Sequence, residues 1–251
     1  MKLFLNAGVF FLLVQFCGAA FAQGGPPLRT DDPETPGNRN WEINLGATSE
    51  VLRTATDAEL PIADFNYGWG NRTQIKLEIP LLVRFSHGTI QSEAGDGKVG
   101  VKWRFLGQDK HGVNVSTYPQ MSFNVPGPQR LVDSGMQLLL PLEISRSFGR
   151  FSADAEFGFN LQQTGGNELI LGLAMGYEAT KRLELLGELH SVPTVSFSAN
   201  ESVFQIGGRQ KLSQHYVLLF AAGRGIPGST GNQPGFIAYA GLQILLGPAK
   251  H

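Results

Sequence analysis

From Trp41 to Leu246 the chain alternates apolar and polar residues with period 2, its in-strand charges fall overwhelmingly on one parity, and tight turns mostly alternate with longer loops. These observations predict an all-β fold, a single transmembrane up-and-down antiparallel β-barrel of about 12 strands with short periplasmic turns and longer external loops. Composition agrees: Gly is 32 of 251 residues and hydrophobic residues are 42%, ample for a wall that needs apolar groups at every second position. The longest apolar run is at the N-terminus, which excludes a polytopic helical membrane protein. A net charge of −1 offers no basic face for nucleic acid.

Met1 to Ala22 reads as a cleaved secretory signal, with Lys2 before an apolar stretch and Ala20-Phe21-Ala22 as the cleavage site. Cys17 is the only cysteine, so the exported mature chain builds no disulfide. Residues 23–40 hold four prolines and no apolar period. They are expected to form an extended periplasmic segment ahead of a barrel spanning 41–251. Asp31, Asp32 and Glu34 in that segment are candidate plug groups, although such a cluster also suits a solvated, proline-braced loop.

The strands follow in order. Trp41, Ile43, Leu45 and Ala47 oppose Glu42 and Asn44, and Leu60 to Tyr67 carries Asp64 on its polar side. Ile75, Leu77 and Ile79 oppose Lys76 and Glu78; Val99, Val101, Trp103 and Phe105 oppose Lys98, Lys102 and Arg104. Val113 to Met121 is the fifth strand, and Met136 to Ile144, with Glu143 on its polar face, is the sixth. Phe151 to Leu161 opposes Asp154 and Glu156, and Leu171 to Tyr177 is followed by Glu178. Leu183, Leu185 and Leu189 oppose Glu184, Glu188 and His190, a stretch that also fits a short helix. Phe204 to Leu212, with Arg209, then Tyr216 to Arg224 and Phe236 to Leu246 complete twelve. Turns such as Ser147 to Arg150 and Ser213 to His215 are tight, whereas His87 to Asp96, Val125 to Ser134, Val192 to Glu201 and Ile226 to Pro234 read as longer loops. An even count puts both termini on the periplasmic side. A soluble sandwich also alternates, but the one-sided charges, long apolar faces and aromatics near strand ends favour a lipid-embedded wall.

The expected lumen lining is Lys76, Glu78, Lys98, Lys102, Arg104, Glu143, Asp154, Glu156, Glu178, Glu184, Glu188, His190 and Arg209. Strands three and four, rich in Lys and Arg, stand opposite strands eight to ten in a twelve-strand cylinder. One wall is then mainly basic and the other acidic, giving a transverse field across a wet lumen. The alternative is that these charges pair and fill the interior. No cofactor or metal ligand set stands out, and no HExxH, Walker A loop or GxSxG elbow occurs. The one hydrolase reading worth naming pairs His190 with Ser191 or Ser145.

Pro27-Leu28-Arg29-Thr30-Asp31-Asp32-Pro33-Glu34-Thr35-Pro36-Gly37, followed by Trp41-Glu42-Ile43-Asn44, resembles the N-terminus of a bacterial outer-membrane transporter family labelled for the meta-pathway of phenol degradation. So does Leu60-Pro61 to Gly68 running into Gln74 to Pro80. The resemblance implies a barrel in the outer membrane and uptake of a small solute. Tyr239-x-Gly241-x-x-Ile244-x-Leu246 looks like a C-terminal signal for the outer-membrane assembly machinery. The expected partners are therefore outer-membrane lipid, that machinery during biogenesis, and an unidentified solute. Two functions compete: a channel for small polar, amphiphilic or aromatic molecules, and a structural or adhesive barrel with a closed, charge-packed lumen. A soluble secreted sandwich stands third.

Overall fold

A sheet immersed in hydrocarbon must leave no unpaired edge, so the pairing of the first and last strands decides the architecture. The computed structural model describes residues 25–126, 131, 135–227 and 233–248. The predicted signal and parts of the Val125–Ser134 and Ile226–Pro234 loops lie outside the described residues. The strands are β1 (Trp41–Val51), β2 (Thr56–Trp69), β3 (Thr73–Ser86), β4 (Thr89–Ala94), β5 (Gly97–Leu106), β6 (Asn114–Thr117), β7 (Gln120–Phe123), β8 (Gln137–Phe148), β9 (Phe151–Gln162), β10 (Glu168–Glu178), β11 (Leu183–Pro193), β12 (Asn200–Lys211), β13 (Tyr216–Gly225) and β14 (Phe236–Leu246). β1 pairs antiparallel with β14 from Trp41↔Leu246 to Val51↔Phe236, which closes the barrel.

The fourteen strands make twelve staves among the described residues. β4 and β5 both lie along β3, with Leu81↔Ala94 above Glu78↔Lys98, and are one stave broken at Gly95-Asp96. Pro80 has no N–H for the ladder, and its carbonyl instead accepts the Gly95 N–H at 2.9 Å. β6 and β7 likewise share β5 and β8 as neighbours, with the break at Tyr118-Pro119. The expected loop at His87 to Asp96 is thus largely strand. His87 and Gly88 both adopt positive φ, 48° and 78°, forming the two-residue turn that joins strands tightly. Leu183 to Pro193 is a strand rather than a helix, and the Val192–Glu201 loop contracts to Thr194–Ala199. The Gly107–Gly112 turn contains a single helical turn, α1 (Gln108–His111).

The faces invert the order of a soluble protein. Leu173, Met175, Ile206 and Phe157 are exposed on the outside, whereas Lys102, Glu143, Glu188 and Asn44 are buried within. That removes the sandwich, whose buried face is apolar. Aromatics ring the end that carries the termini: Trp41 lies 4.8 Å from Tyr67, Trp103 5.6 Å from Phe105, and Phe151 4.9 Å from Tyr177. An apolar band with such a girdle is what a bilayer-spanning wall presents. Residues 25–40 form no strand. Residues 25–34 run inside the barrel rather than extending ahead of it, because the polar groups of the inner wall bind them, and 35–40 lie against the β2–β3 turn.

Candidate functional site: the barrel interior

Inward strand positions bring most of the expected lining residues together, but in local pairs rather than two opposed walls. Lys76 Nζ lies 3.4 Å from Asp64 and 2.8 Å from Glu78, which also holds Lys98 at 2.8 Å. Arg209 pairs with Glu184 at 3.3 Å. Lys102 Nζ is 2.8 Å from Asp31 and 3.4 Å from Glu143, donates to the Asp32 carbonyl, and sits 4.6 Å from the Tyr118 ring centroid. Arg104 pairs with Glu34. The predicted transverse field is therefore broken up: Asp64 and Glu78 sit on the basic side itself, beside Lys76.

The acidic strands are occupied differently. Glu188 accepts the Arg29 main-chain N–H at 3.0 and 3.1 Å, the Thr30 N–H at 2.9 Å and the Gln205 side-chain amide at 2.6 Å. Glu156 accepts the Asp31 N–H at 2.9 Å. The carboxylates of β9 and β11 thus take the backbone donors of residues 29–31. The side chains of that segment reach elsewhere, Arg29 to Glu50 and Glu201, and Glu34 to Asn114 at 2.8 Å. Asp154 is buried with Oδ1 unbonded. Glu178 lies apart, beside the Ala179–Arg182 turn.

Asp31 and Asp32 titrate in opposite directions. Burial pushes Asp32 well above the ordinary carboxylate range, reinforced by Asp154, Asp31 and Glu34 against the pull of Lys102. Burial also acts on Asp31, but Lys102 and Lys76 outweigh it and hold that carboxyl low.

An apolar contact anchors the same segment. Leu28 is buried in a cluster with Ile62, Ala174, Leu186, Leu219 and Tyr239. Sequence reading missed it, although β13 carries a signal: Val217, Leu219 and Ala221 face inward while Leu218 and Phe220 face out, so both faces are apolar. An inward apolar patch implies an apolar partner inside.

Two cavities flank residues 25–36. One, of about 620 Å³, opens toward the end away from the termini and is lined by Glu50, Glu59, Lys98, Leu139, His190 and Tyr239 among others. The other, about 290 Å³ at the terminal end, has Lys181, Arg182, Arg209 and Lys211 around Leu183 and Val217. A third opening, of about 30 Å³, lies among Asp31, Asp32, Asn44, Lys102 and Tyr118.

The hydrolase pairing does not form. The Ser191 hydroxyl bonds Asn200 and Ser202, each at 2.8 Å, Ser145 lies 3.4 Å from the Asn114 amide, and His190 is hydrogen-bonded to neither serine. Among the described residues no group of three or more His, Cys, Asp and Glu is placed to hold a metal ion.

No family model and no curated protein matches the chain. Solved structures do. The crystal structure of an outer membrane channel from Pseudomonas putida F1 superposes with a TM-score of 0.68 at 10% identity, covering 86% of this chain and 98% of that one. The NanC porin gives 0.59 at 8% identity, covering 82% of this chain and all of the other (100%). The KdgM porin gives 0.53 at 9% identity, covering 83% and 100%. At these identities the likeness is one of fold: this chain has the barrel architecture that these channels and porins also have.

Proposed function

We propose that the chain is an outer-membrane channel for small polar, amphiphilic or aromatic solutes, with residues 23–40 as a plug held inside the lumen. The observation that carries the reading is a closed barrel, apolar outside and charged inside, holding a cavity of about 620 Å³. A cavity of that volume falls within the range of small-molecule sites. The fold shared with channels and porins supports the same assignment. The resemblance of Pro27 to Pro80 to the family labelled for phenol degradation points to aromatic compounds among the solutes. Outer-membrane lipid would cover the apolar band, and the terminal end would face the periplasm.

A closed, charge-packed barrel is the second reading, favoured by the paired lumen charges and the 30 Å³ gap beside Lys102. Planar-bilayer recording separates the two. Wild type should conduct weakly, and deletion of residues 23–40 should raise conductance while the barrel keeps its heat-modifiable mobility on gels. A folded deletion variant that conducts no more than wild type would refute the plug. The absence of conductance in both would refute the channel.

A further inference from the structure

The far cavity has the makings of a binding site. Six carboxylates and four bases line it, and each base is already engaged: Lys76 and Lys98 by Glu78, Arg84 by Asp57, and Arg29 by Glu50 and Glu201. Glu156 is committed to the Asp31 N–H. Glu59 is half-buried on β2 and makes no hydrogen bond or ion pair among the described residues. Its cross-strand neighbour is Leu82, which lines the same cavity. Cross-strand partners share a face, so a carboxylate with no hydrogen bond or close ion pair, within the longer-range field of Lys98 and Arg29, stands beside apolar surface.

The opposite wall adds a second, independent feature. His190 is 7% exposed, lines the cavity, and has neither ring nitrogen hydrogen-bonded. A buried polar group without a partner calls for an explanation, and a ligand that completes it is one. His190 pairs with Gly172, two residues along β10 from Ile170. Ile170 and Leu139 close over Gly158, where an added Cβ would come within 3.0 Å of each. The imidazole therefore sits at the edge of an apolar patch that a glycine makes room for.

We propose that this cavity binds a small amphiphilic amine: an ammonium group on Glu59, an aromatic or branched aliphatic frame across Leu139 and Ile170, and a hydrogen bond at His190. The excess of carboxylates disfavours an anion of the same shape. The inference rests on the channel reading only for how the ligand reaches the cavity, and it names that channel's solute class.

The test uses the purified full-length barrel in detergent at low salt, titrated calorimetrically with 4-(2-aminoethyl)phenol, 4-(2-hydroxyethyl)phenol and 4-hydroxyphenylacetate, whose shared ring hydroxyl supplies the His190 hydrogen bond, with empty micelles subtracted. The amine should bind at least about tenfold tighter than the carboxylate, a difference of about 1.4 kcal/mol, with the alcohol between them. Glu59→Gln should erase the preference for the amine over the alcohol, and His190→Phe should weaken both. Equal affinities, no binding, or a preference that survives Glu59→Gln in a heat-modifiable barrel would overturn the site. The charge series on wild type decides the matter even if a variant fails to assemble. Binding without conductance would refute the channel and leave the site standing. Conductance without charge preference would do the reverse.

Discussion

Replacing Glu188 by Ala removes the side chain that, among the described residues, holds the main chain of residues 29 and 30. Two backbone donors and the Gln205 amide lose their acceptor together. A buried donor left unpaired costs about 1–3 kcal/mol, and water from the adjoining cavity can re-pair part of the set. The docked state should therefore weaken by about 2–4 kcal/mol, which is roughly a thirty-fold to several-hundred-fold rise in the undocked population. Trypsin reads this directly, because Arg29 and Arg39 lie in the segment and cleavage tracks the open population when closing is fast. Cutting after Arg29, followed by mass spectrometry, should accelerate by that factor in Glu188→Ala. Glu188→Gln should fall between the two, since it keeps one acceptor oxygen and turns a donor toward the Arg29 N–H. A folded, heat-modifiable Glu188→Ala barrel cut at the wild-type rate would refute the claim that this carboxylate holds the plug.

Leu28→Ala should speed the same cleavage through a different cause, the loss of about 2–3 kcal/mol of apolar burial against Leu186, Leu219 and Tyr239. Lys102→Met leaves Glu143 and Asp31 without their shared cation; it should cost about 3–5 kcal/mol and lower the temperature of the gel-mobility shift. Docking should also depend on pH. Asp32 is raised in the docked state, so its contribution is complete below its free value of about 3.9 and is lost as pH rises through the docked pKa. Asp31 is lowered, so its contribution is present above that free value and is lost as pH falls through the docked pKa. Trypsin protection of wild type should therefore decline as pH rises, and Asp32→Asn should flatten that decline; a slope unchanged in Asp32→Asn would assign it to another group. On the outer face, Leu173→Arg places a charge at the middle of β10. It should cost about 2–4 kcal/mol in a bilayer, read as reduced folding yield into lipid vesicles.

The period-2 pattern and the parity of the charges determine the number of staves, the outward face and the closed form of this protein. Those properties are local: each strand's own residues say which side meets lipid, and closure follows because hydrocarbon tolerates no free edge. The two broken staves were less legible, since Thr89 to Ala94 is polar enough to read as loop and forms strand only because β3 extends past Pro80 to pair with it. The candidate residues Lys76, Lys102, Glu143, Glu156 and Glu188 could be placed on the inner face from parity alone. What they touch could not, because partners such as Lys102 and Asp31, or Glu188 and Thr30, lie 71 and 158 residues apart. An alternation pattern says nothing about which distant segment will fill a lumen. Only the tertiary structure turned an apparently solvated acidic segment into one threaded through the barrel, with its backbone donors on the acidic strands and the carboxylates of Asp31 and Glu34 on Lys102 and Arg104. The physical reason is that burial leaves donors and charges in need of partners, and the closed wall supplied most of those of residues 29–34 from both sides at once.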